Sequence, residues 1–169
     1  MQAAGKIKLA LFDVDGVLTD GSLNYGASGE QNKVFNALDG HGLKMLQKAG
    51  IAVGIISARD SGALQTRMQD LGITHCYLGV EDKRAVFTRL IRELKITREE
   101  CAFTGEDVID LPVMSECGLK FSVQNGHFIV RDLADWVAPF PGGHGAARAI
   151  CDLLLYSQQS YPLGISPQQ

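Results

Sequence analysis

The chain carries the sequence Leu9-Ala10-Leu11-Phe12-Asp13-Val14-Asp15-Gly16-Val17, four apolar residues followed by two carboxylates and a glycine. The apolar run predicts a buried strand, and two charges at its end have little use in a core because burying an unpaired charge is costly. Two carboxylates in one small space favour a cation between them, and their oxygens suit a hard ion such as Mg2+. Because open parallel sheets bind ligands at the carboxyl ends of their strands, the motif predicts a metal site with a carboxylate available for chemistry.

Apolar runs alternate with amphipathic stretches along the rest of the chain. This alternation predicts an α/β fold with a Rossmann-like, mostly parallel sheet and flanking helices. The predicted strands cover residues 7–12, 51–56, 76–78, 101–104 and 119–123. The predicted helices cover residues 39–49, 61–71, 85–94, 108–116 and 146–156, and a capping box of Thr97 and Glu100 opens a brief turn. We expect one domain over residues 1–157.

One segment interrupts the alternation. The glycine-containing turn at residues 26–29 lies between two short extended stretches, which predicts a β-hairpin inserted at about residues 22–35. An isolated hairpin is marginally stable in water, so we expect it to pack on another surface, such as a second subunit. Residues 158–169 are dominated by Gln, Ser, Pro and Gly, and we expect a flexible C-terminal tail there.

Length and charge exclude several classes of function. The 169 residues suffice for one domain with a good core, and 46% hydrophobic against 21% charged residues is typical of a globular protein. A net charge of -3 gives no electrostatic footprint for nucleic acid or for an anionic membrane.

The four cysteines lack the Cys-x-x-Cys spacing of zinc or redox sites, which favours a reducing compartment. Because only a short apolar run follows Lys6 and Lys8, we expect no signal peptide and a cytoplasmic protein.

Polar side chains also fall at the predicted ends of other strands. Ser57 follows the second strand, Lys83 begins the helix after the third, and the segment 105–110 with its three carboxylates follows the fourth. Because these ends share one rim in a parallel sheet, we expect a hydroxyl, an ammonium and four or five carboxylates in one crevice. Each group alone has an ordinary structural explanation, such as a helix cap for Ser57 or a solvated position for Lys83. Their combination at successive strand ends favours catalysis.

The order of these pieces resembles the haloacid dehalogenase superfamily of phosphotransferases. The shared pattern is Asp-x-Asp-Gly-Val, then Ser, then Lys, then Gly-acid-Asp-x-x-Asp, over about residues 7–123. The resemblance implies that Asp13 is the nucleophile and that Asp15 is the general acid and base. It implies that Ser57 and Lys83 bind phosphate, and that Mg2+ is held by Asp13, the Asp15 backbone carbonyl and Glu106.

The same resemblance gives supporting roles to two further acids. It implies that Asp107 orients Lys83 or a metal-bound water, and that Asp110 lies behind the metal ligands. At position 106 the chain has Glu106 where the superfamily usually has Asp. The extra methylene shifts the carboxylate by more than the tolerance of about 0.5 Å that a metal site allows, which puts metal affinity or geometry in question.

The resemblance narrows to capless members that hydrolyse the phosphate ester of an eight-carbon keto-sugar acid on the route to lipopolysaccharide. It rests on residues 13–21, 39–42, 57–61 and 142–148. Those relatives form homotetramers in which hairpins and C-terminal segments of neighbours help to close the site. Arg59 is a candidate for the substrate carboxylate because a guanidinium grips it with two parallel bonds, and an ordinary surface arginine is the equal alternative. Weaker candidates for substrate contacts are Arg67, and also His144 and Arg148, which we expect to reach the site of a neighbouring subunit.

Other interpretations stay open at this point. One is a phosphatase of a nine-carbon keto-acid sugar phosphate, against which Arg59 argues. Another is a non-catalytic tetramerising domain, in favour of which Glu106 is the one feature. The intact acids and Lys83 argue against it. A phosphomutase is a weaker alternative, because those enzymes usually carry a cap and no insertion here is large enough to form one.

Overall fold

The computed structural model describes residues 3–27 and 29–162 of the chain. The strands are β1 (Leu9–Phe12), β2 (Asn24–Gly26), β3 (Gly29–Asn32), β4 (Ala52–Ile56), β5 (His75–Tyr77), β6 (Cys101–Thr104), β7 (Leu119–Ser122) and β8 (Trp136–Val137). The α-helices are α1 (Ala37–Lys48), α2 (Gly62–Leu71), α3 (Lys83–Leu94), α4 (Leu111–Met114), α5 (Phe128–Leu133) and α6 (Ala146–Ser157). Short 3-10 helices cover Ala4–Lys6, Arg98–Glu100 and Val108–Asp110.

Six strands form one sheet in the order β5-β4-β1-β6-β7-β8, and every neighbouring pair is parallel. Strand β1 is central, because Leu9 lies opposite Ala52 on one side and Cys101 on the other. The chain moves outward from β1 through β4 to β5 and then returns to β6 on the other side of β1. This reversal opens a crevice at the carboxyl ends of β1 and β6, and it confirms the predicted α/β fold class.

Both faces of the sheet are covered. Alternate residues of β1 point to opposite layers: Ala10 and Phe12 pack in the core beside α1 and α6, whereas Leu9 and Leu11 pack in the core beside α3 and α4. All four residues of β1 are buried. A strand that is buried on both faces has a continuous apolar sequence, and for that reason β1 could be predicted from the sequence.

The predicted boundaries hold to within a few residues, with two differences. The predicted helix over 108–116 is a 3-10 turn followed by the single turn of α4, and Pro112 sits in that first turn. The short elements α5 and β8 have no counterpart in the prediction, and β8 is fixed by its pairing with β7 rather than by a pattern of its own. The capping box of Thr97 and Glu100 is present.

The inserted hairpin is confirmed as the antiparallel pair β2 and β3. Tyr25 and Val34 are exposed by 60% and 80%, so the hairpin carries apolar surface to the outside of the chain. The four cysteines are free thiols. Within the described residues, no helix combines the length and the apolar character that a membrane span requires.

Helix α6 is tied to α1 beside the crevice. The carboxylate of Asp39 in α1 accepts hydrogen bonds from the N–H groups of Gly145 at 3.2 Å and Arg148 at 2.8 Å. The loop before α6 also approaches the β1 loop closely, since a Cβ on Gly142 would lie 1.7 Å from the carbonyl oxygen of Gly16. The C-terminal glycine-rich segment therefore braces the loop that carries the Asp-x-Asp motif.

The start of the predicted tail makes contacts with the domain. The Gln158 side chain donates to the carbonyls of Ala4 and Ile7 at 3.2 and 2.8 Å, and Tyr161 stacks on Tyr156. Residues 163–169 of the predicted tail lie outside the described residues.

Candidate active site

The carboxyl ends of three neighbouring strands, β4, β1 and β6, surround an open cavity of about 370 Å3. Six side chains singled out from the sequence line it: Asp13, Asp15, Ser57, Arg59, Glu106 and Asp107. Parallel strands bring their carboxyl ends to one edge, and the structure brings these residues to one crevice for that reason.

A buried lysine bridges two buried carboxylates in this crevice. Lys83 Nζ lies 2.7 Å from Asp13 Oδ1 and 2.6 Å from Asp110 Oδ1, and all three residues are almost fully buried. Burial alone would lower the pKa of Lys83, but the two carboxylates outweigh burial and raise it. Lys83 is therefore a fixed cation that holds the side chain of Asp13 in one orientation.

Glu106 adds a third carboxylate to the pair that Lys83 bridges. Burial, followed by the charges of Asp13 and Asp110, raises the pKa of Glu106 to about 10. Burial and the charge of Asp110 also raise the pKa of Asp13, despite the opposing effect of Lys83. The site therefore has too little positive charge for all of these acids to be ionised together.

The geometry of these carboxylates fits a divalent cation. One ligand oxygen from each of Asp13, Glu106 and Asp110 lies within 4.8 Å of the others, and Glu106 Oε2 is buried with no hydrogen-bond partner among the described residues. Carboxylate oxygens of this kind are the ligands that Mg2+ prefers. A cation would compensate the negative charge of the buried acids. It would also give the Glu106 oxygen a partner.

Two acids of the 105–110 segment make different contacts in this structure. Asp107 begins the 3-10 helix and turns its carboxylate onto the N–H of Val108 at 2.7 Å. Asp110, one turn later, accepts from the Glu106 N–H at 3.1 Å and pairs with Lys83. In this structure Asp110, rather than Asp107, contacts Lys83, and the expected role of Asp107 towards Lys83 or a metal-bound water stays a prediction. The carboxylate of Asp110 also lies in the acidic cluster with Asp13 and Glu106, and its expected place behind the metal ligands stays a prediction.

The carboxylate of Asp15 lies in a different environment from that of Asp13. Lys33, just after β3, donates to Asp15 Oδ1 at 2.6 Å, and Arg59 Nε lies 3.6 Å from Asp15 Oδ2. Arg59 also donates from Nη1 to the hydroxyl of Tyr25 at 3.0 Å. The hairpin therefore reaches back to the cavity, and Lys33 is a site residue that the sequence analysis missed, because nothing in its local sequence marks it.

Ser57 is held at the edge of β4. Its N–H donates to the carbonyl of Tyr77 at 2.9 Å, and its buried hydroxyl oxygen accepts from the Arg59 N–H at 3.1 Å. Since the backbone N–H is engaged in the sheet, the hydroxyl is the group that Ser57 presents to the cavity.

Two of the weaker candidates lie away from this cavity. Arg67 stacks on Phe35 and donates to the carbonyl of Asn36 at 3.4 Å, beside a separate small pocket. Arg148 pairs with Asp152 at 2.8 Å and donates to the hydroxyl of Tyr161 at 3.0 Å. Arg67 therefore lies outside the cavity of its own chain, and its expected substrate contact stays a prediction. The expectation for Arg148 concerns the cavity of a neighbouring subunit and stays a prediction.

His144 lies in the loop before α6, near the cavity. Its charge contributes to a lowered pKa of Asp20, for which hydrogen bonds at Ser22 are the larger cause, and Asp20 lines the cavity. Its expected role in a neighbouring site also stays a prediction.

A doubly wound sheet with a buried aspartate, a lysine and an acidic cluster at its switch point defines a hydrolase of the haloacid dehalogenase class. A family model described as haloacid dehalogenase-like hydrolase matches residues 79–150. The 3-deoxy-D-manno-octulosonate 8-phosphate phosphatase of Escherichia coli (strain K12) is 42% identical over 155 residues, covering 92% of this chain and 82% of that protein. The chain belongs to the family of these phosphatases within the haloacid dehalogenase-like hydrolases.

Solved structures agree with this assignment. The 3-deoxy-D-manno-octulosonate 8-phosphate phosphatase of Yersinia pestis superimposes with a TM-score of 0.92 at 40% identity, covering 94% of this chain and 86% of that one. The enzyme of Moraxella catarrhalis, in complex with a magnesium ion, a phosphate ion and KDO, gives a TM-score of 0.90 at 39% identity, covering 94% and 91%. The resemblance drawn from the sequence motifs is thereby confirmed.

Proposed function

We propose that this chain is a Mg2+-dependent phosphatase that hydrolyses 3-deoxy-D-manno-octulosonate 8-phosphate to the free sugar acid and phosphate, a step that serves lipopolysaccharide biosynthesis. The observation that carries the proposal is the buried Asp13 beside Lys83 and Glu106, at the floor of a cavity of sugar-phosphate size. Membership of the phosphatase family supports the choice of substrate.

Asp13 is the nucleophile in this proposal. Its carboxylate attacks phosphorus and forms an aspartyl phosphate, while the bond from phosphorus to the sugar oxygen breaks. Lys83 keeps Asp13 oriented, and its charge beside Asp13 stabilises the phosphoryl oxygens, over which charge is spread in the transition state. The buried hydroxyl of Ser57 contacts the same oxygens from the β4 side.

Asp15 moves the proton in both halves of the reaction. Protonated Asp15 gives its proton to the leaving sugar oxygen, and the resulting carboxylate takes one from the water that attacks the aspartyl phosphate. Asp13, Glu106 and the backbone carbonyl of Asp15 would hold Mg2+, with Asp110 as a further carboxylate of the cluster. A bound Mg2+ supplies the charge neutralisation that lets a carboxylate approach a phosphate dianion.

Arg59 is the proposed contact for the substrate carboxylate. Its guanidinium lies at the cavity wall between Asp15 and the hairpin residue Tyr25. A guanidinium in this position can exchange one of its present contacts for a bidentate bond to a keto-acid carboxylate.

The proposed assembly is a cytoplasmic homotetramer in which neighbouring subunits help to close the cavity, with no nucleic-acid or membrane partner. Exposed apolar residues in and beside the hairpin support it: Leu23, Tyr25, Val34 and Leu38. Apolar surface of this kind is typical of a protein interface. Mass measurement by light scattering tests the proposal, since a monomer at micromolar concentration would exclude the tetramer.

The function is tested by phosphate release from a panel of sugar phosphates with Mg2+ and with chelator, beside the Asp13→Asn variant. We expect metal-dependent release that is fastest with the eight-carbon keto-acid phosphate and absent in the variant. Faster phosphate release from the nine-carbon homologue would show that the nine-carbon ester is the substrate. Absence of release from every ester, in folded protein, would favour a non-catalytic domain.

A further inference from the structure

Lys33 makes a buried ion pair with the proposed proton donor. The side chain of Lys33 is 1% exposed and that of Asp15 is 21% exposed, and Lys33 Nζ lies 2.6 Å from Asp15 Oδ1. Exposed pairs such as Lys8 with Glu100, where the lysine is 62% exposed, contribute little because solvent screens them. A charge-assisted hydrogen bond from a buried side chain is stronger, and it fixes the geometry of the carboxylate better than an exposed pair does.

The two oxygens of Asp15 have different surroundings. Oδ1 accepts the short hydrogen bond from Lys33, whereas Oδ2 lies 3.6 Å from Arg59 Nε, beyond hydrogen-bond distance. Asp15 itself lines the cavity. Oδ1 is therefore the more closely held oxygen, and Oδ2 has the looser ion pair with Arg59.

Two hairpin residues take part in this arrangement. Lys33 contacts Asp15 directly, and Tyr25 accepts from Arg59, which in turn lies beside Asp15. These polar contacts attach the hairpin to the Asp-x-Asp loop of its own chain.

We propose that Lys33 is a positioning residue for acid catalysis, which holds Asp15 Oδ1 so that Oδ2 faces the leaving oxygen. The inference rests on the proposed phosphatase function and assigns the hairpin a part in it. In the first step the bond from phosphorus to the sugar oxygen breaks and the bond to Asp13 forms, while the proton on Asp15 Oδ2 passes to the sugar oxygen. Lys33 keeps its own proton throughout, and the attacking water later returns a proton to Asp15.

The test compares two leaving groups in the Lys33→Met variant. A sugar alkoxide needs a proton as it leaves, whereas p-nitrophenolate is a stable anion and needs none. We therefore expect the rate of phosphoryl-enzyme formation from the sugar phosphate to fall by about 100-fold or more, the range of general acid catalysis. The burst of p-nitrophenolate from p-nitrophenyl phosphate, which reports the same first step, should stay within about threefold of wild type.

Three further variants separate positioning from structural damage. Lys33→Arg keeps a cation on Oδ1 and should recover part of the sugar-phosphate rate, and Lys8→Met makes the same chemical change at an exposed lysine and should change neither rate. Lys33→Met added to Asp15→Asn should lower the rate no further than Asp15→Asn alone. In the single variant Lys33→Met, KM for the sugar phosphate should stay within about threefold of the wild-type value.

Each unfavourable outcome has one meaning. Equal losses with both substrates in Lys33→Met, or no loss with either, would overturn the positioning role. Further loss on the Asp15→Asn background would show that Lys33 acts by another route. A wild-type protein that releases neither leaving group would instead refute the proposed function.

Discussion

Substitution of Glu106 by Gln should stabilise the metal-free protein and weaken its response to Mg2+. The raised pKa of Glu106, about 10, means that the folded metal-free protein keeps this carboxyl neutral at neutral pH. The unfolded chain ionises it at its ordinary pKa of 4.5. An amide at this position has no proton to lose and can donate to Asp13 as the protonated carboxyl does.

The magnitude follows from linkage between protonation and folding. Below pH 4.5 both states hold the proton and Glu106 has no effect on stability, whereas between 4.5 and about 10 only the folded state holds it. The free energy of unfolding therefore falls by about 1.4 kcal/mol for each pH unit across that window. Three units above 4.5, at about pH 7.5, Glu106→Gln should recover up to about 4 kcal/mol and remove that slope.

Urea unfolding between about pH 6 and pH 8 measures both quantities, with chelator and with saturating Mg2+. In wild type, Mg2+ at 100 times its dissociation constant should add about 2.7 kcal/mol, and Glu106→Gln should show a smaller gain because one anionic ligand is lost. Glu93→Gln removes an exposed carboxylate from α3 and should leave the pH slope unchanged. A metal-free Glu106→Gln variant no more stable than wild type, with the same pH slope, would refute the reasoning.

Three other substitutions test how the site is built. Lys83→Met should lower the free energy of unfolding by about 3–5 kcal/mol with chelator present, because it leaves two buried carboxylates without their ammonium, and an unchanged value would contradict the contact. Gly142→Ala should lower the free energy of unfolding by about 3 kcal/mol, measured by thermal melting, because its Cβ would overlap the Gly16 carbonyl. Gly62→Ala, which has open space around its Cβ, should cause no measurable loss of stability. Asp39→Ala should lower stability by about 1–2 kcal/mol because α6 loses its side-chain cap, and Asp39→Asn, which keeps one acceptor, should lose less.

Much of the site could be predicted because it follows the strands. The run from Leu9 to Phe12 is apolar throughout since both faces of β1 are covered, and Asp13 and Asp15 follow where the strand ends. Ser57 and Lys83 were found in the same way, from their places after predicted strands. Each of these positions depends on local sequence and on a sheet order that few topologies allow.

The parts that could not be predicted depend on contacts between distant segments. Lys33 reaches Asp15 only because the hairpin folds back over the β1 loop, and its neighbours in the sequence give no sign of that. The contact of Asp110, rather than Asp107, with Lys83 depends on a 3-10 turn where the sequence pattern indicated an α-helix. The strand β8 has two residues and is defined by its register with β7, so it has no periodicity to detect.

The central claim is that Asp13 carries the phosphoryl group, and the most direct measurement is to trap it there. Substrate labelled in the phosphate is mixed with excess enzyme and Mg2+, quenched in acid, reduced with borohydride and mapped by peptide mass spectrometry. The account predicts label in the protein on the millisecond timescale and reduction at Asp13, with neither in the Asp13→Asn variant. Turnover without labelled protein, or label on any other residue, would contradict it.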